Sequence, residues 1–166
     1  NYTKALEYHN KSLKIKIKVL GLEHSDIATS YNNIGMVYHA QGNYAKALDY
    51  YNKSLDIQIK VCGLEHPNTA TIYNNIGIAY YKQGDYVKAL EYNNKALEIQ
   101  VKVLESEHPD IAKSYNNIGE IYKVQGDYAK ALEYHGKAFE IREKILGLEH
   151  PDVAASYNNI GGIYHS

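Results

Sequence analysis

The chain has 166 residues, with 18 Lys and Arg against 19 Asp and Glu, so its formal net charge is -1. That balance speaks against a general nucleic-acid binder, which carries a basic excess, and no apolar run is long enough to span a bilayer. A single cysteine, Cys62, excludes an internal disulfide framework and fits a reducing, cytoplasmic setting.

In chain order, residues 1–20 read as a helix opening at Asn1, with Tyr2, Ala5 and Leu6 in its first turns. Gly21 ends it. Leu22-Glu23-His24 follows, and Ser25 is expected to cap the next helix, where Ile27, Tyr31, Ile34, Gly35 and Tyr38 recur at spacings of three and four. Gly42 and Asn43 then form a tight stop-and-cap pair. The following helix carries two apolar stripes. One runs through Tyr44, Leu48, Tyr51, Leu55, Ile59 and Cys62, the other through Ala47, Tyr50, Ser54, Ile57 and Val61. Two stripes mean cover on two sides. The third face, with Lys46, Asp49, Lys53, Asp56 and Lys60, is solvated and laced with acid-to-lysine i,i+4 pairs.

From Gly63 the pattern starts again. Tyr-Asn-Asn-Ile-Gly stands at Tyr31–Gly35, Tyr73–Gly77, Tyr115–Gly119 and Tyr157–Gly161, each copy 42 residues after the last. A fixed period of this size is the signature of a repeat array. The expected organisation is one array over 1–166. Residues 1–20 are an orphan second helix, 21–62, 63–104 and 105–146 are complete units, and 147–166 are an orphan first helix. Such a piece reads as part of a longer array. Pro67, Pro109 and Pro151 open first helices, where no amide donor is needed. Glu105 stands where the other units have Gly21, Gly63 and Gly147. Either that turn has another shape, or a left-handed Glu costs about 1 kcal/mol there.

Asn74-Asn75-Ile76-Gly77-x-x-Tyr80, followed by Gln83-Gly84-Asp85-Tyr86-x-Lys88-Ala89-Leu90, resembles the tetratricopeptide repeat. The family's usual unit is about 34 residues, so the extra residues here are most simply one further turn on each helix. The segment Ala138–Gly147 with His150-Pro151-Asp152-Val153-Ala154 is similar to the repeats of kinesin light chains. The closing Pro of the family is absent; Ile59, Val101 and Glu143 continue the helix at that place. The resemblance implies an all-α fold, antiparallel helix pairs stacked into a right-handed superhelical solenoid. First helices would line a concave groove and second helices the convex back.

It also implies a protein–protein interaction scaffold that holds an extended peptide in the groove. The groove residues would be Asn32, Asn33, Met36, Asn74, Asn75, Ile78, Lys113, Asn116, Asn117, Glu120, Lys123 and Asn158. An Asn side chain both donates and accepts, so an Asn ladder can pair with a peptide backbone of any sequence. Alternatively, one Asn of each pair bonds the neighbouring helix and fixes spacing, with Asn33 and its equivalents the candidates. Met36 and Ile78 make the early groove apolar, whereas Glu120, Lys113 and Lys123 make the later groove charged. The expected partner is a protein or peptide, with no nucleic acid, membrane or cofactor.

His24, His66, His108 and His150 stand one per unit, which cannot assemble a metal site and fits a local turn role. Cys62 shares its place with Leu20, Leu104 and Leu146 and is expected to be a buried hydrophobe. No nucleophile, base and orienter recur as a set, so an enzyme is not expected. Two other readings differ in class: an architectural array that associates end to end through uncapped end faces, and the sensor region of a larger signalling protein.

Overall fold

A computed structural model describes residues 1–165; Ser166, the last residue of the expected final unit, lies outside the described residues. These residues form α1 (Tyr2–Leu20), α2 (Ser25–Ala40), α3 (Tyr44–Cys62), α4 (Pro67–Gln83), α5 (Tyr86–Val103), α6 (Pro109–Val124), α7 (Tyr128–Leu146) and α8 (Pro151–Tyr164).

The helix starts are set by side-chain caps. Asn1, Asn43, Asp85 and Asp127 accept from the amides of Lys4, Lys46, Lys88 and Lys130 at 3.3, 3.2, 3.1 and 3.2 Å. A cap of this kind is worth about 1 kcal/mol. At the other helix starts the repeated histidine does this work. Nδ1 of His24, His66, His108 and His150 accepts from the amide two residues on, at 3.1 Å in every case. This local role fits one histidine per unit. It also corrects the expectation for Ser25, which lies in the first turn of α2 while His24 caps it.

Gly21, Gly63 and Gly147 end their helices at φ between 76° and 88°. Among the described residues no other residue type has positive φ, so Glu105 is not left-handed. The turn there has a different shape. α5 stops at Val103, and extended Leu104 closes it by donating its N–H to Gln100 O at 2.9 Å.

Packing is most extensive between α2 and α3, α4 and α5, and α6 and α7; α1 on α2, α3 on α4, α5 on α6 and α7 on α8 link successive pairs. The first helices also touch one another, α2 with α4 and α4 with α6, whereas successive second helices barely meet. The array therefore curves toward the first helices, and their shared face is the inner one.

Ala47, Tyr51, Leu55, Ala70, Ile72, Ile76, Ala96 and Ile99 form the central core. The glycines of the first three pentapeptides let the paired helices close up. A Cβ on Gly35 would stand 2.6 Å from the Tyr51 ring, and one on Gly77 2.3 Å from the Asn93 amide nitrogen. At Gly119 the His135 ring would be 2.9 Å away.

Tyrosine sits at the seams. Tyr38 stacks on Tyr50, Tyr80 on Tyr92 and Tyr122 on Tyr134, at 5.3, 5.5 and 5.6 Å between centroids. Lys53, Lys95 and Lys137 lie over the outer rings and pair with Asp49, Glu91 and Glu133 at 2.6–2.7 Å. Cys62 is half-buried, not buried, because it ends α3 at the rim of the array.

Candidate functional site: the inner face of the first helices

The inner face is built from α2, α4 and α6, with α8 continuing it. Helical spacing puts both Asn residues of each pentapeptide on this side, since Tyr31, Ile34 and their equivalents turn into the seams. Asn32, Asn33, Asn74, Asn75, Asn116 and Asn117 are half-buried, and Asn158 is exposed.

The second Asn of a pair reaches back to the preceding unit. Asn75 Nδ2 donates to Asn32 Oδ1 at 2.9 Å, and Asn159 Nδ2 donates to Asn116 Oδ1 at 2.8 Å. The middle rung differs. Asn74 Nδ2 donates to Ser114 Oγ at 2.8 Å, and Asn117 Nδ2 turns to Asn93 Oδ1 at 3.4 Å. The oxygens of Asn32 and Asn116 are thus engaged across the unit boundary. Asn32 turns its Nδ2 to the Met36 sulfur at 3.7 Å, a weak acceptor, so its donors remain available at the face.

The Ser114 contact belongs to a polar line between units. Ser114 Oγ donates to Gln100 Oε1 at 2.6 Å, Lys16 Nζ donates to Ser30 Oγ at 3.2 Å, and Arg142 Nη1 donates to Ser156 Oγ at 2.7 Å. At the remaining joint Ile72 replaces the serine, and buried Gln58 lies 3.4 Å from His66 Nδ1 instead. A cavity of about 300 Å³ opens there, lined by Thr29, Asn32, Ser54, Gln58, Asn68 and Thr71, with Ile72.

Further along the face, Met36, Asn75 and Ile78 share a second cavity of about 300 Å³ with Tyr51. Ile78, Asn117 and Glu120 share a third, of about 180 Å³, with Asn93. Lys113 stands apart, paired with Asp110 at 2.9 Å at the start of α6. Lys123 lies at the far end, its Nζ 3.4 Å from where a Cβ on Gly162 would stand.

Sequence reasoning missed Tyr51, Asn93 and His135. They hold one repeat position on the second helix, are 2 %, 0 % and 1 % exposed, and lie directly under the invariant glycine. The available signal was that opposition of one unvarying Gly to one varying large residue. Burial pushes the Tyr51 hydroxyl up to about 12. Burial also pulls His135 below the ordinary histidine range; Glu120 opposes this, and Lys123 and Arg142 add to it. His39 is lowered by burial and then by Lys82. Neither ring nitrogen of His135, nor Nε2 of His39, has a hydrogen-bond partner among the described residues. Glu120 Oε1 stands 3.5 Å from His135 Nε2.

No curated protein sequence matches the chain significantly. Solved structures match it over 99 % of its length. Two are the nearly identical TPR-like repeats of a Podosopora anserina protein assigned as a kinesin light chain, and a variant of it. Both are 27 % identical, with TM-scores of 0.80 and 0.81, and the chain covers 78 % and 77 % of them respectively. Another is BtubC (BKLC) from P. vanneervenii, 25 % identical with a TM-score of 0.88; the chain covers 65 % of it. These neighbours carry the right-handed helix-pair solenoid over to this chain. The sequence profile described as tetratricopeptide repeat matches residues 1–60, 26–102 and 110–166. With the 42-residue period, the paired helices and the glycine contacts all in that register, the chain belongs to the tetratricopeptide repeat family.

Proposed function

We propose that this chain, whose family's repeats mediate protein–protein interaction, holds an extended peptide along the inner face of α2, α4 and α6, with the Asn ladder meeting its backbone. The observation that supports this is the half-buried row of amides at one-unit spacing, with cavities between them. Neighbouring helices lie about 8–10 Å apart and an extended chain rises about 3.3 Å per residue, so each rung meets roughly every third residue. The face mixes apolar groups with charges of both signs, which suits a neutral or mildly amphipathic segment better than an anionic terminus.

The test is an extended-peptide library screened against the chain and against a variant carrying Asn32→Asp and Asn116→Asp. Asp keeps the oxygen that accepts from Asn75 or Asn159 but has no N–H donor. Peptide capture by the wild type and its loss in a variant of unchanged helicity support the reading. Equal capture by both would assign the ladder to spacing alone.

A second reading has its own observation. A Cβ on Gly161 meets nothing within 4 Å, unlike Gly35, Gly77 and Gly119, and Tyr157 and Tyr164 beside it are 54 % and 77 % exposed. α1 holds the repeat position of α3, α5 and α7. In this chain it is therefore suited to cover α8 of a second copy, head to tail.

A further inference from the structure

The inner face carries a cavity that repeats with the chain. The first is lined by Met36, His39, Ala40, Tyr51, Asn75 and Ile78. The next is lined by Ile78, Tyr81, Lys82, Asn93, Asn117 and Glu120, each 42 residues after its counterpart. Carried one period further, the register brings the equivalent residues Glu120, Lys123, Val124, His135, Asn159 and Gly162 of α6, α7 and α8 to the corresponding place. The second-helix residue beneath the invariant glycine is in each set, and it changes from Tyr to Asn to His.

We propose that Tyr51, Asn93 and His135 are specificity-determining floor residues of three successive side-chain sockets. An extended peptide of no net charge would place apolar side chains in the first two and a hydroxyl or carboxamide side chain in the third. The proposal rests on the groove reading above and deepens it.

The first socket has apolar walls in Met36, Tyr51 and Ile78 and no acidic or lysine side chain. Of its polar members Asn75 is engaged with Asn32, and His39, half-buried on α2 rather than on the floor, has one unpartnered ring nitrogen against the two of His135. The second keeps apolar walls in Ile78, Tyr81 and Ile121, and its two charges, Lys82 and Glu120, oppose one another. Asn93 is already engaged there, donating to Ala89 O at 2.8 Å and accepting from Asn117, so it asks nothing polar of an occupant. The third floor differs. His135 is 1 % exposed and has two ring nitrogens without a hydrogen-bond partner among the described residues. Burial favours its neutral form, which offers one donor and one acceptor. A buried polar group left unpaired is costly, and a hydroxyl or carboxamide, which can donate or accept, complements whichever ring nitrogen it meets. Glu120 and Lys123 beside it carry opposite signs, so the socket matches a polar but uncharged group.

The array itself supplies the substitution that tests this. Tyr51 already packs beneath Gly35, so His135→Tyr puts an accepted side chain beneath Gly119. The experiment is a positional-scanning library of immobilised heptapeptides, read against wild type, His135→Tyr and Met36→Glu. Met36 is 52 % exposed, so its variant folds whatever the fate of the other. Wild type is expected to select apolar residues at two positions three apart, and Ser, Thr, Asn or Gln three further on. His135→Tyr is expected to turn the last preference apolar by about tenfold or more, leaving the first two. Met36→Glu is expected to remove the first preference by a similar factor and to leave the third.

A folded His135→Tyr variant with an unchanged third preference overturns the proposal while the groove reading stands, as do bound peptides with flat preferences at these positions. If His135→Tyr loses its helicity, Met36→Glu decides: loss of the first preference alone supports the sockets, and no change or uniform weakening overturns them. A wild type that captures no peptide overturns both readings.

Discussion

Two glycines at the same repeat position should respond to one substitution with opposite sign. On Gly35 an added Cβ would stand 2.6 Å from both Cδ1 and Cε1 of Tyr51 and 3.3 Å from Ala47 O. Carbon–carbon contacts are optimal at about 3.5–4.0 Å, so the overlap is about 1 Å. Tyr51 is 2 % exposed and cannot swing clear, so α2 and α3 must part. Overpacking of this kind costs about 1–3 kcal/mol, while replacing a helical Gly by Ala contributes about 1 kcal/mol. The net for Gly35→Ala is a loss of up to about 2 kcal/mol. On Gly161 the added Cβ meets nothing within 4 Å, so in the dilute, monomeric chain Gly161→Ala keeps only the propensity gain of about 1 kcal/mol. In a chain of this size 1 kcal/mol moves the thermal midpoint by about 2–4 °C. Far-UV circular dichroism melts should therefore show Gly35→Ala lower by up to about 8 °C and Gly161→Ala higher by about 2–4 °C. In a Tyr51→Ala background the Gly35→Ala step should become neutral or stabilising, since its obstacle is gone. Equal shifts at both glycines would refute the close-approach argument.

Three further outcomes follow from particular contacts. His135 is held below its ordinary value of 6.5 by burial, so below that pH the unfolded state binds more protons and stability falls as pH drops toward the folded value. Each such histidine contributes at most about 1.4 kcal/mol per pH unit, and His39 acts in the same direction; His135→Gln should flatten the midpoint-versus-pH curve below about pH 6.5, and identical curves would count against the buried neutral ring. Because Glu105 is not left-handed, Glu105→Gly should lose about 0.4–1 kcal/mol in urea titrations through chain entropy, whereas a gain near 1 kcal/mol would restore the strained-turn reading. The 166-residue chain should sediment as species larger than a monomer as concentration rises, and Gly161→Leu should abolish this by blocking the α8 face; a monomer throughout contradicts head-to-tail association.

Much of the architecture was legible because the period is carried by residues whose chemistry is local. Asn43, Asp85 and Asp127 had to cap helices, and Gly42, Gly84 and Gly126 had to turn the chain. His24 was harder to place than Ser25, since a histidine acts as a cap only when Nδ1 is the accepting nitrogen. The buried polar positions were not legible at all. Gln58, Gln100 and Asn93 look solvated by type, and only the next helix decides that they are covered. The same holds for the face as a whole: the Asn pairs were visible, but which oxygen binds a neighbour depended on Ser114 drawing Asn74 out of the common pattern. Cys62 failed as a core residue because its place is the last of α3, where no following unit closes over it completely.

The most direct test of the groove reading is chemical-shift mapping of the isotope-labelled chain with the tightest peptide from the library. The account predicts perturbation of the side-chain amides of Asn32, Asn75, Asn116 and Asn117, with backbone shifts confined to the inner face of α2, α4 and α6. Shifts confined to the outer faces of α3, α5 and α7, or to the uncovered sides of α1 and α8, would contradict it and assign recognition to another surface.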